Sequence, residues 1–294
     1  QGEQVVTFIE DAQAQQTALS RYAQLEREHA ELLRRVNLVE AAGTPKPPKW
    51  LTPKQPKKNR HATTVAMLSD CHFDEVVRPV EIGNANAFNR EIAEIRLRTW
   101  AEKVVELNRD HLSGVTIDGL VVMLGGDIFS GNLHDLAETN ADTVPGSLLH
   151  WSEQVCAAIT MLADYFGKVH VPVVVGNHGR LTIKPRTKLR ARDNVDWLLG
   201  HMVARHFADV DEVTVSVTDD PDQFVQVYDT THLLTHGDQV TGGSGIGGIW
   251  PPIMRMVARK RTRYAMQPFD LVCIGHWHQL ISAPTQGLIV NGSI

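Results

Sequence analysis

Apolar runs in this chain are short, and five of them stop on a polar residue of ligand type. Leu120-Val121-Val122-Met123-Leu124 is wholly apolar and ends at Gly125-Gly126-Asp127. A continuous apolar run bounded by turn residues is the pattern of a parallel strand buried on both faces. The β-branched stretch Thr63–Ser69 ends in Asp70-Cys71-His72, and the valine-rich Lys168–Val175 ends in Gly176-Asn177-His178. Phe224–Tyr228 and His232–Thr235 read as a hairpin ending in His236-Gly237-Asp238, and Asp270–Ile274 ends in Gly275-His276-Trp277-His278. Leu280–Ala283 and Leu288–Val290 read as short final strands. Helical spacing fills Asn89–Arg109, Leu148–Tyr165, Asn194–Phe207 and a segment around Pro252–Tyr264. Ile128–Gly146 reads as a polar loop and Thr241–Gly248 as a glycine-rich one. Alternating strand and helix followed by a strand-rich end predicts an α/β fold, a four-layer α/β/β/α sandwich.

The N-terminal part differs. Ala18, Tyr22, Leu25, Leu32, Val36 and Val39 fall on a seven-residue repeat within a helical stretch that runs to Gly43. Residues 1–43 are therefore expected to form a helix whose 18–39 seam pairs two chains as a homodimer, the alternative being a single amphipathic helix. Residues 44–60 interleave five prolines with lysines and are expected to be an extended linker. The catalytic domain is expected over 61–294.

Bulk properties narrow the classes. A 43% hydrophobic and 21% charged composition is ordinary for a globular protein. No apolar run approaches membrane-span length and no signal-peptide pattern opens the chain. The three cysteines, Cys71, Cys156 and Cys273, are scattered without a CxxC pair. That argues against a disulfide framework or a structural zinc site and for a reducing cytoplasm.

The strand ends supply the candidate chemistry. In α/β sheets, sites collect at the carboxyl ends of strands. Asp70, His72, Asp127, Asn177, His178, His236, His276 and His278 all occupy such positions. Oxygen and imidazole donors without thiolate select manganese, iron, zinc or nickel. Eight such residues are too many for one tetrahedral ion and suit two ions completed by water. In Asp70-x-His72 and His276-x-His278 the two residues share a face on a regular strand. Beyond a strand's end, loop geometry can instead aim them at neighbouring ions.

This ordered set resembles the five signature blocks of the calcineurin-like metallophosphoesterase superfamily. The resemblance spans about residues 65–292, with Asn291-Gly292-Ser293 similar to the family's closing turn, and leaves out residues 1–60. It implies two divalent ions, manganese foremost. Asp127 would bridge them, with Asp70, His72 and His278 on the first and Asn177, His236 and His276 on the second. It implies that His178 stabilises developing charge or protonates the leaving group. Many members follow that histidine with Asp or Glu; here Gly179 and Arg180 follow. His178 then either takes a carboxylate partner from elsewhere, with Asp74, Glu75 and Asp238 as candidates, or works without one.

Charge bears on the substrate. Formal net charge is -5, yet Arg180, Lys184, Arg186, Lys188, Arg190 and Arg192 follow His178 directly, and Arg255, Arg259, Lys260, Arg261 and Arg263 cluster later. A basic rim on an acidic body concentrates a polyanion. Arg180, Lys184, Arg186, Asn132 and His134 are the expected substrate contacts; Arg90, Arg96 and Arg98 are weaker ones. Phe129 and Trp277 could stack on a base, although core packing suits them better. The expectation is a nuclease, similar to double-strand-break-repair exonucleases and to compact phage and bacterial phosphoesterases, in the cytoplasm of a bacterial or phage-infected cell. The alternatives are a phosphatase or pyrophosphatase on a small nucleotide or lipid-linked phosphate, and a non-catalytic scaffold on the same fold.

Overall fold

The computed structural model describes residues 20–30, 48–51, 60–133, 140–240 and 247–294. The chain divides into two compact units, Gln1–Lys46 and Pro47–Ile294. In the first, residues 20–30 are helical (α1), with Tyr22 and Leu25 exposed. Ala18, Leu32, Val36 and Val39 of the expected seam lie outside the described residues.

The second unit is built on two sheets. The first holds β1 (His61–Leu68), β2 (Thr116–Leu124), β3 (Val169–Val173) and β4 (Val213–Val217) in the order β1-β2-β3-β4, all parallel. The second comprises β5 (Asp222–Val227), β6 (Thr230–Thr235), β7 (Leu271–Ile274), β8 (Ile281–Ala283) and β9 (Leu288–Val290), in the order β5-β6-β7-β9-β8. Here β6, β7 and β9 run parallel, flanked by antiparallel β5 and β8. The helices are α2 (Arg90–His111), α3 (Val144–Phe166), α4 (Val195–His206) and α5 (Trp250–Arg263).

Strand periodicity sets the layers. Leu120, Val122 and Leu124 face a core shared with Ala93 and Leu97 of α2, Trp151 and Ile159 of α3 and Leu199 of α4. The intervening Val121 and Met123 face the second sheet, where they meet Leu234 and Cys273. On that sheet the alternate residues Leu233, Val272 and Ile274 face outward onto Ile253, Met256 and Val257 of α5. The side-chain period of two thus buries both faces of both sheets, and the α/β/β/α order follows.

Helix starts are capped as their sequences predict. Asn89 Oδ1 accepts from Ile92 N–H at 2.9 Å, and the Asn194 side chain caps α4 by accepting from Asp196 N–H at 2.8 Å. α3 begins at Val144, four residues before the expected Leu148, because Thr143 caps it and Pro145 occupies its first turn. β4 was not expected at all.

The expected linker is partly core. Lys49–Leu51 forms a 3-10 turn, Leu51 is fully buried between the sheets, and its carbonyl accepts from Tyr228 N–H at 2.9 Å. Proline density marked the backbone as non-helical but gave no sign that one leucine would anchor it. Among the described residues, no helix is long and apolar enough to cross a membrane.

Candidate metal centre

The parallel pairing of β1, β2 and β3 brings their carboxyl ends to one edge, and β6 and β7 deliver theirs beside it. Among the bonds that join the edges, His236 Nδ1 lies 2.9 Å from Gly125 O, and His276 N–H donates to Asp70 Oδ1 at 2.7 Å. The chain must turn sharply on leaving each strand. Nine non-glycine described residues have positive φ, and five of them are Asp70, His72, Asp127, His276 and His278. Such concentration of strained backbone on candidate ligands is the mark of a site whose geometry the surrounding fold imposes. It also decides between the two readings of the i,i+2 pairs: β1 ends at Leu68 and β7 at Ile274, so loop geometry aims these residues.

Three overlapping groups of donors result, each with ligand atoms within 4.8 Å of one another. They are Asp70, His72 and His278; His72, Asp127 and His178; and Asp127, His236 and His276. His276 and His278, two residues apart, therefore fall in different groups. His72 Nε2 and His278 Nε2 face each other at 3.1 Å. His236 Nε2 lies 2.9 Å from Asp127 Oδ2 yet is not aligned as a hydrogen bond and has no such partner. Asn177 Oδ1 is likewise buried without a partner. Imidazole nitrogens and side-chain oxygens gathered this closely fit cation binding.

The electrostatics suit a neutral ligand at His72 and His276. Burial pushes His72 down to about 3. Burial, then the His236 charge, pushes His276 down to about 4, so both rings are neutral ligands at ordinary pH. Burial would also lower His236, but the Asp127 carboxylate outweighs it and lifts the imidazole to about 10. Burial favours the neutral Asp127 carboxyl, yet the imidazoles around it, His236 foremost, hold it well below the usual carboxylate range.

Asp70 and the loops carrying Asp127 and Asn177 are held by groups behind them. Ser69 Oγ donates to Asp70 Oδ2 at 2.6 Å and accepts from Asn291 Nδ2 at 3.0 Å. Gly126, at φ 86°, presses on Gly176: a Cβ there would lie 2.4 Å from Gly176 N, and one on Gly176 would lie 2.0 Å from Asp127 Oδ1. Only two glycines let these loops pass.

The sequence reading missed Asp196. This fully buried carboxylate accepts from three backbone N–H groups: Asp127 at 3.0 Å, Ile128 at 3.2 Å and Gly176 at 2.9 Å. Burial, with the Asp127 charge, pushes its carboxyl up to about 6 against those donors. Asn194 Nδ2 adds a bond to Gly176 O at 2.8 Å. The start of α4 thus clamps the loops carrying Asp127 and Asn177. Replacing Asp196 with leucine orphans three buried donors, each worth roughly 1–3 kcal/mol. Urea unfolding should show a loss of about 3–5 kcal/mol, together with weaker manganese retention; a change below about 1 kcal/mol would contradict the clamp.

His178 has no carboxylate partner among the expected candidates that can be placed. Its Nδ1 lies 3.0 Å from Ser130 O, so Nδ1–H donates to a carbonyl and Nε2 is left for the site. Its backbone N–H donates to Asp127 Oδ1 at 2.7 Å. Asp74 is taken by Arg90, whose Nε and Nη2 donate at 2.7 and 2.6 Å, and Asp238 is taken by Arg190. Glu75 meets this region through its own N–H, which donates to His72 O at 3.0 Å.

The expected substrate contacts divide. Lys184, Arg186 and Asn132 are exposed, whereas the Arg180 guanidinium folds back onto the carbonyls of Thr182 and Ile183. His134 lies outside the described residues. Arg90 is structural, and Arg96 donates to Ile294 O. Of the later basic cluster, Arg255, Arg259 and Arg263 are exposed, whereas Lys260 and Arg261 are engaged within the fold. Lys260 is buried in an ion pair with Asp222, and Arg261 donates to Gln286 O beside the start of β9, while Asn291, past the end of β9, reaches Ser69. Lys260 could be read as part of a basic rim because only the fold puts Asp222 beneath it. Phe129 is core and Trp277 packs beside the α5 core.

No family model matches the chain, and no curated protein matches it. Among solved structures it is similar to a single mutant of Vps29 from Entamoeba histolytica, at 14% identity over 78% of this chain and 73% of that one, TM-score 0.27. A protein from Streptococcus pneumoniae described as a predicted phosphoesterase matches at 12% identity over 78% and 72%, TM-score 0.28. Vacuolar protein sorting 29 from Cryptosporidium parvum matches at 13% over 78% and 73%, TM-score 0.30. These likenesses are distant, and the functional reading rests on the chain's own residues.

Proposed function

We propose that this chain is a metal-dependent phosphoesterase that hydrolyses phosphodiester bonds, with a nucleic acid strand as substrate. The observation that carries the reading is the set of three overlapping donor groups, joined through Asp127 and His72, at the carboxyl edge of both sheets. Asp70, His72 and His278 would hold one divalent ion, and Asn177, His236 and His276 a second, with Asp127 between them. The donor set is oxygen and imidazole; Cys71 is buried with its thiol toward Ser69 O. Manganese, iron, zinc and nickel suit it. When bound, such a pair polarises phosphoryl oxygens and makes water a better nucleophile at neutral pH.

The chain's own residues do the rest. His178, its Nδ1–H fixed on Ser130 O, presents Nε2 to stabilise charge on the ester or to give a proton to the leaving oxygen. Lys184, Arg186 and Lys188, exposed on the segment following His178, supply positive charge for the flanking phosphates of a strand.

The test is a substrate panel with the manganese-loaded protein: labelled single-stranded and duplex DNA and RNA, bis-p-nitrophenyl phosphate and p-nitrophenyl phosphate. Cleavage of the diester and of at least one polymer, abolished by chelation, is expected. Turnover of the monoester alone would remove the nuclease reading, and inactivity on all of them would favour a scaffold.

A further inference from the structure

The segment between Gly179 and Asn194 leaves the candidate centre and returns to it. Arg180 and Asn194 form an isolated antiparallel bridge, and Leu181 N–H donates to Asp193 O at 2.8 Å. Together with Gly176, Asn177 and Asp238, this excursion walls a cavity of about 20 Å³. That is room for one atom of water or oxygen size.

Three arginines, Arg180, Arg186 and Arg190, and two aspartates, Asp193 and Asp238, are among the residues that line it. The arginines are not equivalent. Arg180 is occupied by carbonyls. Arg190 Nη2 donates to both Asp238 oxygens, at 2.6 and 2.7 Å, which compensates that carboxylate's charge. Its Nε–H is buried and has no acceptor among the described residues. Arg186 is exposed at the rim. A buried donor without an acceptor is costly, and a guanidinium edge is the donor geometry that phosphoryl oxygens match best.

The cavity's place gives the missing acceptor an identity. Its wall includes Asn177, whose Oδ1 is unpartnered, and Asp238 stands two residues past His236. An oxygen seated there belongs to a group next to the one held by the centre. Building on the phosphoesterase reading above, we propose that Arg190, with Arg186 at the rim, forms a second anion subsite that takes a phosphoryl oxygen adjacent to the scissile phosphate. The substrate class is then an ester with two neighbouring phosphoryl groups, as in a nucleic acid strand or a diphosphate-bridged ester.

Two measurements test it. The first is calorimetric titration of metal-free protein with inorganic phosphate: wild type should bind, and Arg190→Lys, which keeps the charge beside Asp238 but removes Nε–H, should bind roughly tenfold more weakly or worse. No binding by wild type, or equal binding by both, would overturn the subsite without touching the metal centre. The second compares kcat/KM for a 5′-phosphorylated dinucleotide and for diadenosine tetraphosphate, each relative to bis-p-nitrophenyl phosphate, which has one phosphorus. Arg190→Lys should lower at least one ratio by about 10- to 100-fold, the loss of one charge-assisted hydrogen bond. The dinucleotide ratio falling identifies a strand, and the tetraphosphate ratio falling identifies a bridged diphosphate. Parallel decline on all three substrates would mean a structural role for Arg190 and would overturn the proposal. Failure of the wild type to turn over any of them would instead count against the phosphoesterase reading.

Discussion

Replacing Asp127 with alanine is expected to release both metal ions together and to lower turnover by at least about 10³-fold, since the electrostatic stabilisation they supply is worth several kcal/mol. The reason is its place between the two halves of the centre. Asp127 shares one donor group with His72 and His178 and another with His236 and His276. Its Oδ1 also accepts from His178 N–H at 2.7 Å, so its loss frees the loop that carries Asn177 and His178. In the variant, His236 keeps its burial but loses the carboxylate that lifts it to about 10, so its proton affinity should fall. Metal content after dialysis, with circular dichroism to verify the fold, is the check. A variant that retains one full equivalent of metal and most of its activity would show that Asp127 is not shared.

The second large effect is at His178. His178→Ala should retain both ions and lose about 10²- to 10⁴-fold in kcat, the range for a general acid or charge stabiliser. The ring is steered by Ser130 O and stands at 84° to His72 with centroids 4.5 Å apart, which places it next to the proposed ligands. If the role is proton donation, the deficit should be smaller for nitrophenyl esters, whose leaving group needs no proton, than for alkyl or nucleotide esters. Equal deficits on both would assign His178 to charge stabilisation alone, and loss of metal would make it a ligand.

Those two residues could be found in the sequence because buried parallel strands write themselves as unbroken apolar runs. Val121 to Leu124 and Val171 to Val175 end where the chemistry begins, and the ligands follow within four residues. Strand β4 escaped because Val213-Thr-Val-Ser-Val217 alternates, at the edge of its sheet, and has no chemical residue at its end to draw notice. Asp196 escaped for a different reason. An acid in the first turn of a helix reads as a favourable helix charge, and only the packing of α4 against β3 and β4 brings it to Asp127, 69 positions away. The partner of His178 could not be read at all, because it is a backbone carbonyl and every residue has one. Leu51 and Lys260 were both expected to face solvent, and both are buried. One sits in a proline-rich stretch that resembles solvent-exposed linker, the other on a helix whose neighbouring arginines are exposed, and both are buried by partners distant in sequence. The division of His276 and His278 between donor groups depends on the positive φ of each, which residue identity does not announce.

Diffraction from a crystal soaked in manganese, recorded for anomalous signal, tests the central claim most directly. Two peaks are predicted, one among Asp70, His72 and His278, the other among Asn177, His236 and His276, with the Asp127 carboxylate reaching both. A lone peak, or peaks away from these side chains, would contradict it.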